Sequence, residues 1–369
     1  MRTTKLIISP NALYENAKAI RENIPGRVKM MCVVKANAYG HGSVAAAKAM
    51  LCAGADAFAV AIVEEAIELR NAGIEKPILI LGGGDAQSLR EAVEAGASQA
   101  VYAPEMLDTL EKAAVELGTT AKAHLKIDTG MSRIGVRGMA ALEGMLERWR
   151  ACPHVEMEGI FTHFCVAESD EEFTKLQNER FKEALARVRS AGFSPIAHAA
   201  ATSAMLKEEY QHDMVRAGIA LYGSQLPELA DRLTYAQKLC CRPVRIERIA
   251  AGDTVGYGRT FRAERDMRIM TLPIGYGDGY PRILSNRADV LVCGRRAPLV
   301  GRVCMDMIMA DVSAILEAGL DSEVVLMGSQ GGERITPDEL AELAETIPYE
   351  IMLGFSARVR NVYADEMPQ

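Results

Sequence analysis

Eight short apolar runs, separated by segments of helical periodicity, fill the first two-thirds of the chain. The runs cover residues 28–34, 57–63, 77–81, 99–102, 123–127, 158–164, 196–199 and 215–221. Between them, residues 44–53, 63–72, 86–95, 105–117, 138–151 and 171–191 carry apolar side chains at helical spacing. Strands that are apolar on both faces suit a parallel sheet covered by helices. Eight such units in about 230 residues match the needs of a (β/α)8 barrel. A doubly wound open sheet has the same periodicity, so the pattern alone leaves closure open. After residue 233 the texture changes. Runs at 242–249, 267–273, 290–293, 302–311 and 323–327 alternate with Gly, Pro and Asp turns, which predicts a mostly-β domain. One helix is expected there, over 337–347, with Thr336 as N-cap and Pro at its first position. The expected class is therefore α/β. An N-terminal TIM-like (β/α)8 barrel spans residues 1–234, and a C-terminal mostly-β domain spans 235–369. Residues 5–9 precede the first barrel helix and are placed to pair with the later β domain.

Composition narrows the function classes. At 369 residues the chain exceeds what one core usually serves. A net charge of -7 argues against a nucleic-acid partner, because phosphate backbones call for a basic surface. The first residues lack the apolar core of a signal peptide, and no stretch of about 18 apolar residues is present to span a membrane. Cysteines 32, 52, 152, 165, 240, 241, 293 and 304 show neither C-x-x-C nor zinc spacing. Reduced thiols, no metal and a cytoplasmic location are the expectation.

In a closed barrel the chemistry sits where the strands end. The first run ends in VVKANAYGHG, which puts Lys35 and Tyr39 there. The fifth ends in LKIDTGMSRIG, with Lys126, Asp128, Met131 and Arg133. The sixth gives His163, and the seventh gives His198, Thr202 and Ser203. The eighth is VRAGIALYG, with Arg216, Gly218, Ile219 and Tyr222. Singly, each residue has a plain explanation. A Lys at a strand end is usually a solvated charge, a lone His a hydrogen-bonded barrel residue, a Gly a turn. Jointly they point elsewhere. A buried Lys with a depressed pKa can form a Schiff base. Ser203 and the Gly218 and Ile219 amides can hold a phosphate. That combination suits pyridoxal phosphate. The LGGGD segment at 81–85 has neither G-x-G-x-x-G spacing nor a P-loop Lys, and reads as a turn.

At these residues the chain resembles the alanine racemase family of fold-type III pyridoxal-phosphate enzymes. VVKANAYGHG, KIDTGMSRIG, RAGIALYG, VGYGRTF, PIGYGDGYPR and GRVCMDM follow the family's motifs in order, over about residues 5 to 360. The resemblance implies that Lys35 carries the cofactor and then serves as one acid/base at Cα. It implies that Tyr257 is the other, contributed by the β domain of a second subunit, so that a homodimer shares its sites. Arg133 would support the cofactor's phenolic oxygen, His163 its ring face and Arg216 its ring nitrogen. Tyr39, Ser203, Gly218 and Ile219 would hold the phosphate. Tyr276 would narrow the entrance, with Met305 and Asp306 lining the substrate side. Lys126 is the family's carbamylation position. The implied activity is interconversion of L- and D-alanine, supplying D-alanine for peptidoglycan.

Two bases on opposite faces are the simplest route to inversion, although a phenol is a poor base unless its site stabilises the phenolate. Arg216 should leave the ring nitrogen unprotonated, because arginine does not readily give up a proton. That expectation disfavours transamination. The chain departs from the family in four places. HAAATSA has Thr202 where Asn is usual, GYGDGY has Gly277, GRVCMDM has Met307, and GFSARVR has Ala357 where some members carry Tyr. The last enlarges the expected cavity and leaves serine as an alternative substrate. A fold-type III decarboxylase, which normally pairs the ring nitrogen with a carboxylate, fits Arg216 poorly. A non-catalytic pyridoxal-phosphate carrier would lack the β domain with Tyr257.

Overall fold

The computed structural model describes residues 3–224 and 226–364. The chain forms two compact units that are not contiguous in sequence. One consists of Leu13–Ala38 and Gly42–Leu233; the other draws residues 3–12 and 39–41 together with 234–364.

The first unit is a closed parallel barrel of eight strands. The strand at Lys5–Ile8, β1, lies in the other unit, so the barrel strands are β2 (Lys29–Val33), β3 (Ala57–Val60), β4 (Ile78–Ile80), β5 (Ser98–Val101), β6 (Ala121–Lys126), β7 (Val155–Phe161), β8 (Ile196–His198) and β9 (Met214–Ala217). β2 pairs in parallel with β9, which closes the ring. β3, β4, β5 and β9 are buried along their whole length; β3 and β4 are wholly apolar, while β5 and β9 also bury Ser98, Gln99 and Arg216. β7 starts three residues earlier than its apolar run predicts, because Val155 and Met157 already face inward. His163 therefore lies two residues past that strand's end. β9 stops at Ala217, and residues 219–222 turn as a 3-10 helix rather than continuing the strand.

The second unit is built on sheets. β1 pairs antiparallel with β10 (Gln237–Cys241) and parallel with Arg360–Tyr363. A separate three-stranded sheet joins Arg245–Ile249, Met267–Leu272 and Ile308–Asp311. Expected strand 302–311 is extended only over Ile308–Asp311, since the Cys304 amide turns back to the Met307 carbonyl at 3.0 Å. The expected helix over 337–347 stops at Leu343, and a second helix starts at Pro348. Proline has no amide hydrogen and fits a first helical turn, not a helix interior. Thr336 caps the first of the two, accepting from the Glu339 amide at 3.0 Å. No helix among the described residues is long and apolar enough to cross a membrane.

Candidate active site

Lys35 does not sit on a simple strand end. It opens a single turn of left-handed helix, in which Ala36, Asn37, Ala38 and Tyr39 all have φ between 52° and 53°. Each such residue costs roughly 1–2 kcal/mol, because Cβ crowds the following carbonyl. The surroundings must over-determine the turn for it to persist. Glu65, at the start of the helix Val63–Asn71, does much of this. One of its carboxylate oxygens accepts from the Ala36 amide, and the other accepts from the Ala61 amide at 2.7 Å. Asn37 accepts the Ser43 amide through its side chain and the Gly42 amide through its carbonyl, both at 3.0 Å. The Ala38 amide returns to the Val34 carbonyl at 2.9 Å. Tyr222 is fully buried and donates to the Val33 carbonyl at 2.9 Å, which makes it a brace for the end of β2. Tyr39 is buried, with its ring 5.7 Å from that of Tyr349.

Burial lowers the pKa of the Lys35 amine, and the Arg133 and Arg216 charges add to this, with Glu65 opposing. Arg133 rides a loop between β6 and the next helix. The Val136 amide returns to the Lys126 carbonyl at 2.8 Å, and the Asp128 carboxylate accepts the Gly130 and Ser132 amides at 3.0 Å each. Gly135, at φ +133°, closes that loop so tightly on the Ile127–Asp128 backbone that a Cβ would clash. Lys126 is almost wholly buried and donates to the Ile127 carbonyl at 2.9 Å. Burial, reinforced by Arg216, lowers its pKa to about 7.

Arg216 is buried at the centre of the strand ends. Its Nη1 donates to His198 Nδ1 at 2.9 Å and to the His198 carbonyl at 3.1 Å. Its two Nη2 hydrogens are shared among the Thr162 and Ala199 carbonyls, at 2.8 Å each, and His163 Nδ1 at 3.2 Å. Among the described residues, Nε is the guanidinium nitrogen that no protein acceptor takes. An arginine can only donate, so both imidazoles accept at Nδ1 and are neutral. Burial, then the Arg216 charge, holds both well below the usual histidine pKa. Thr202, buried at the end of β8, accepts the Gly218 amide at 3.2 Å, tying together the turns that carry Ser203 and Ile219. Lys35, Lys126, Arg133, His163 and Arg216 thus act on one another electrostatically. Ser203, Gly218 and Ile219 lie on the adjoining turns of the same barrel face.

The remaining expected residues belong to the second unit. Tyr257 stands 70% exposed in a short turn, between Gly256 and Gly258 at φ of 71° and 72°. Tyr276 and Met305 share one surface: the Tyr276 amide donates to the Cys304 carbonyl at 3.0 Å and the Gly277 amide to the Met305 carbonyl at 2.9 Å. Asp306 accepts from Arg358 at 2.6 Å, and Arg358 also pairs with the fully buried Asp278 at 3.2 Å. An added methyl at Gly277 would lie 2.7 Å from the Arg358 guanidinium, so this departure makes room for that bridge. Met307 and Ala357 are exposed. Sequence reasoning missed Glu65, His124 and Glu158. The signals available were weak ones: an acid in a helix's first turn for Glu65, and the two-residue spacing to Lys126 for His124.

Comparison with known proteins agrees over the whole chain. The family model of the alanine racemase N-terminal domain matches residues 8–226, and that of the C-terminal domain matches 236–363. An alanine racemase of Symbiobacterium thermophilum is 44% identical, over 99% of this chain and 98% of its own. One from Methanococcus maripaludis is 38% identical, over 96% and 97%. The crystal structure of the Bacillus anthracis alanine racemase with bound L-Ala-P superposes with a TM-score of 0.92 at 37% identity, covering 100% of this chain and 96% of that one. The Streptomyces coelicolor alanine racemase superposes at 0.94 with 32% identity, covering 99% and 98%. With both domain models matched end to end, and barrel and sheet unit alike shared with these structures, the chain belongs to the alanine racemase family.

Proposed function

We propose that this protein racemises alanine with pyridoxal 5'-phosphate, as a homodimer in which each site takes Lys35 from one subunit and Tyr257 from the other. The observation that carries the reading is the environment of Lys35. Its amine is desolvated beside Arg133 and Arg216, which favours the neutral, nucleophilic form. The donor set suits the cofactor. It offers that amine, a buried guanidinium with Nε to spare, a neutral imidazole at His163, and hydroxyl and amide donors at Ser203, Gly218 and Ile219. Tyr39 would add a phenol to the phosphate side.

When bound, pyridoxal phosphate supplies an electron sink that acidifies the substrate's Cα–H. Lys35 holds the cofactor and afterwards moves a proton on one face of Cα. Tyr257 moves the other proton on the opposite face. Arg133 and the Met305–Asp306 segment orient the substrate, and Tyr276 narrows the way in. Arg216 would face the ring nitrogen and keep its own proton, a pairing that would leave that nitrogen unprotonated and disfavour transamination. The D-alanine product would supply peptidoglycan precursors, with the enzyme acting in the cytoplasm.

With Ala357 in place of a bulky tyrosine, substrate choice is the direct test. Purified protein supplied with pyridoxal phosphate and offered L-alanine or L-serine is expected to form D-alanine rapidly and D-serine slowly. Dominant D-serine would overturn the substrate but leave the chemistry; no D-product from either would overturn the racemase reading.

Lys126 carries a pH-dependent prediction. Its folded pKa of about 7 lies far below the unfolded value, so the unfolded chain binds the extra proton and this site costs stability at low pH. The cost is relieved as pH rises through 7 and beyond. The same window frees the amine to add carbon dioxide, releasing a proton and leaving a carbamate anion among Arg133 and Arg216. A carbamate signal from ¹³C-bicarbonate is expected to grow from pH 6 towards pH 8 and to vanish in Lys126→Met. Its absence from the wild type at saturating bicarbonate would count against the modification.

A further inference from the structure

The polar core of the barrel extends past Arg216 to the far side of the strands. His198 Nε2 lies 2.9 Å from His124 Nδ1, and His124 Nε2 lies 3.1 Å from a carboxylate oxygen of Glu158. Arginine only donates and a carboxylate only accepts, so the direction of every proton between them is set from both ends. His198 accepts from Arg216 at Nδ1, carries its proton on Nε2 and donates to His124. His124 carries its own proton on Nε2 and donates to Glu158. Both imidazoles are neutral and each is confined to one tautomer.

Three features show that the fold makes room for this chain of bonds. The pairing of β6 with β7 slips at this point: Ala123 faces Met157 and His124 faces Gly159, leaving Glu158 as the extra residue of a bulge. Bulges of this kind re-aim a side chain. Gly159 is the residue against which the His124 ring packs, and any Cβ there would overlap that ring. The ring of Phe161 stacks on that of His198, with centroids 4.9 Å apart and planes 1° from parallel, fixing the imidazole plane. Glu158 is further held by the Ser98 hydroxyl and by Lys122 at 3.3 Å. Burial raises its pKa, but the bonds from His124 and Ser98 win and hold it at about 2, so it stays ionised.

Among the described residues, Arg216 meanwhile has only neutral acceptors in direct contact: carbonyls and imidazoles. The charges that act on its neighbour His163 are cationic as well, from Lys126, Arg133 and Lys35. A buried cation so placed calls for an anion. We propose that Glu158 is a positioning residue for Arg216, acting through His124 and His198 as a remote counter-charge that fixes both tautomers and the guanidinium's orientation. Polarised hydrogen-bond chains in a low-dielectric core transmit such an effect. The proposal rests on the reading of Arg216 as the residue that faces the cofactor's ring nitrogen.

The test uses ¹⁵N-histidine-labelled protein, with and without pyridoxal phosphate, because imidazole nitrogen shifts report the tautomer directly. In the wild type His124 and His198 are expected as single Nε2–H tautomers. In Glu158→Ala both should become mixtures, and kcat of the loaded enzyme should fall about tenfold with KM nearly unchanged, the order of one hydrogen bond to a charged group. Glu158→Gln keeps an acceptor but removes the charge, so it should recover the tautomers while recovering kcat only in part. If Glu158→Ala does not fold, His124→Phe cuts the same chain with Glu158 in place, and His198 alone is then read. Unchanged His198 shifts in folded Glu158→Ala or His124→Phe would overturn the proposal, and so would altered shifts with an unaltered kcat. Failure of the wild type itself to form D-alanine would instead strike the racemase reading, while the shifts of the cofactor-free protein still decide whether the chain of bonds exists.

Discussion

Lys35→Ala is expected to lower alanine racemisation by about 10⁴-fold or more while leaving the fold as stable as before. The size of the loss follows from two roles removed together. A positioned acid/base contributes about 10²–10⁴-fold. Loss of the nucleophile that holds the cofactor comes on top of it. The intact fold follows from where the stabilising bonds lie. The left-handed turn is held by the Ala36 and Ala38 amides, the Asn37 side chain and Glu65, none of which uses the lysine amine. Removing an amine whose charged form is already disfavoured by burial, Arg133 and Arg216 relieves repulsion in the barrel mouth. The melting temperature should therefore hold or rise while turnover collapses. A second readout separates the two roles: an added small amine should restore part of the proton transfer, since the cavity left by the side chain admits it. A variant that kept more than about a hundredth of the wild-type rate would mean that another group does the work assigned to Lys35.

The barrel was legible because its strands are buried on both faces, so β3 and β4 appear in the sequence as unbroken apolar runs and β5 and β9 as mostly apolar ones. The site was legible at the same level: reactive residues after successive strands must converge once the sheet closes. What could not be read depends on conformation without a residue signature. Nothing in Ala36–Tyr39 announces four positive φ angles, since no glycine occurs before Gly40. The cause lies in Glu65, thirty residues away, which looks like any acid in a helix's first turn. The bulge at Glu158 is equally silent, because a one-residue slip in pairing leaves the apolar pattern of β7 intact. β1 shows the opposite case. Its place before the first barrel helix points it to the later β domain rather than the barrel, and it pairs there with β10 and Arg360–Tyr363. Pro348 did carry its signal, and the expected helix end at 347 falls immediately before it, although Pro337–Leu343 frays earlier.

Tyr257→Phe is expected to cost about a thousandfold in turnover, the worth of one acid/base group, with the fold again intact. The phenol is 70% exposed on its own unit, so its removal disturbs no packing. That same exposure is the argument for a shared site. A base that works at Cα must be shielded from water when it acts, and a residue this open in a single chain gains that shelter when a neighbouring molecule covers it. Gly256 and Gly258 hold the turn in a conformation that other residues reach only with strain, which keeps the phenol presented outward. Mixing Lys35→Ala with Tyr257→Phe then separates one-chain from two-chain sites. Each parent dimer is inactive. If Lys35 meets the partner's Tyr257, random exchange puts half of the chains into mixed dimers, each holding one intact site and one doubly defective site. About a quarter of the wild-type rate should return, arriving as the subunits exchange and failing to arrive when the parents are crosslinked first. If both groups came from one chain, every site in every mixture would lack one of them, and no activity would return at any ratio.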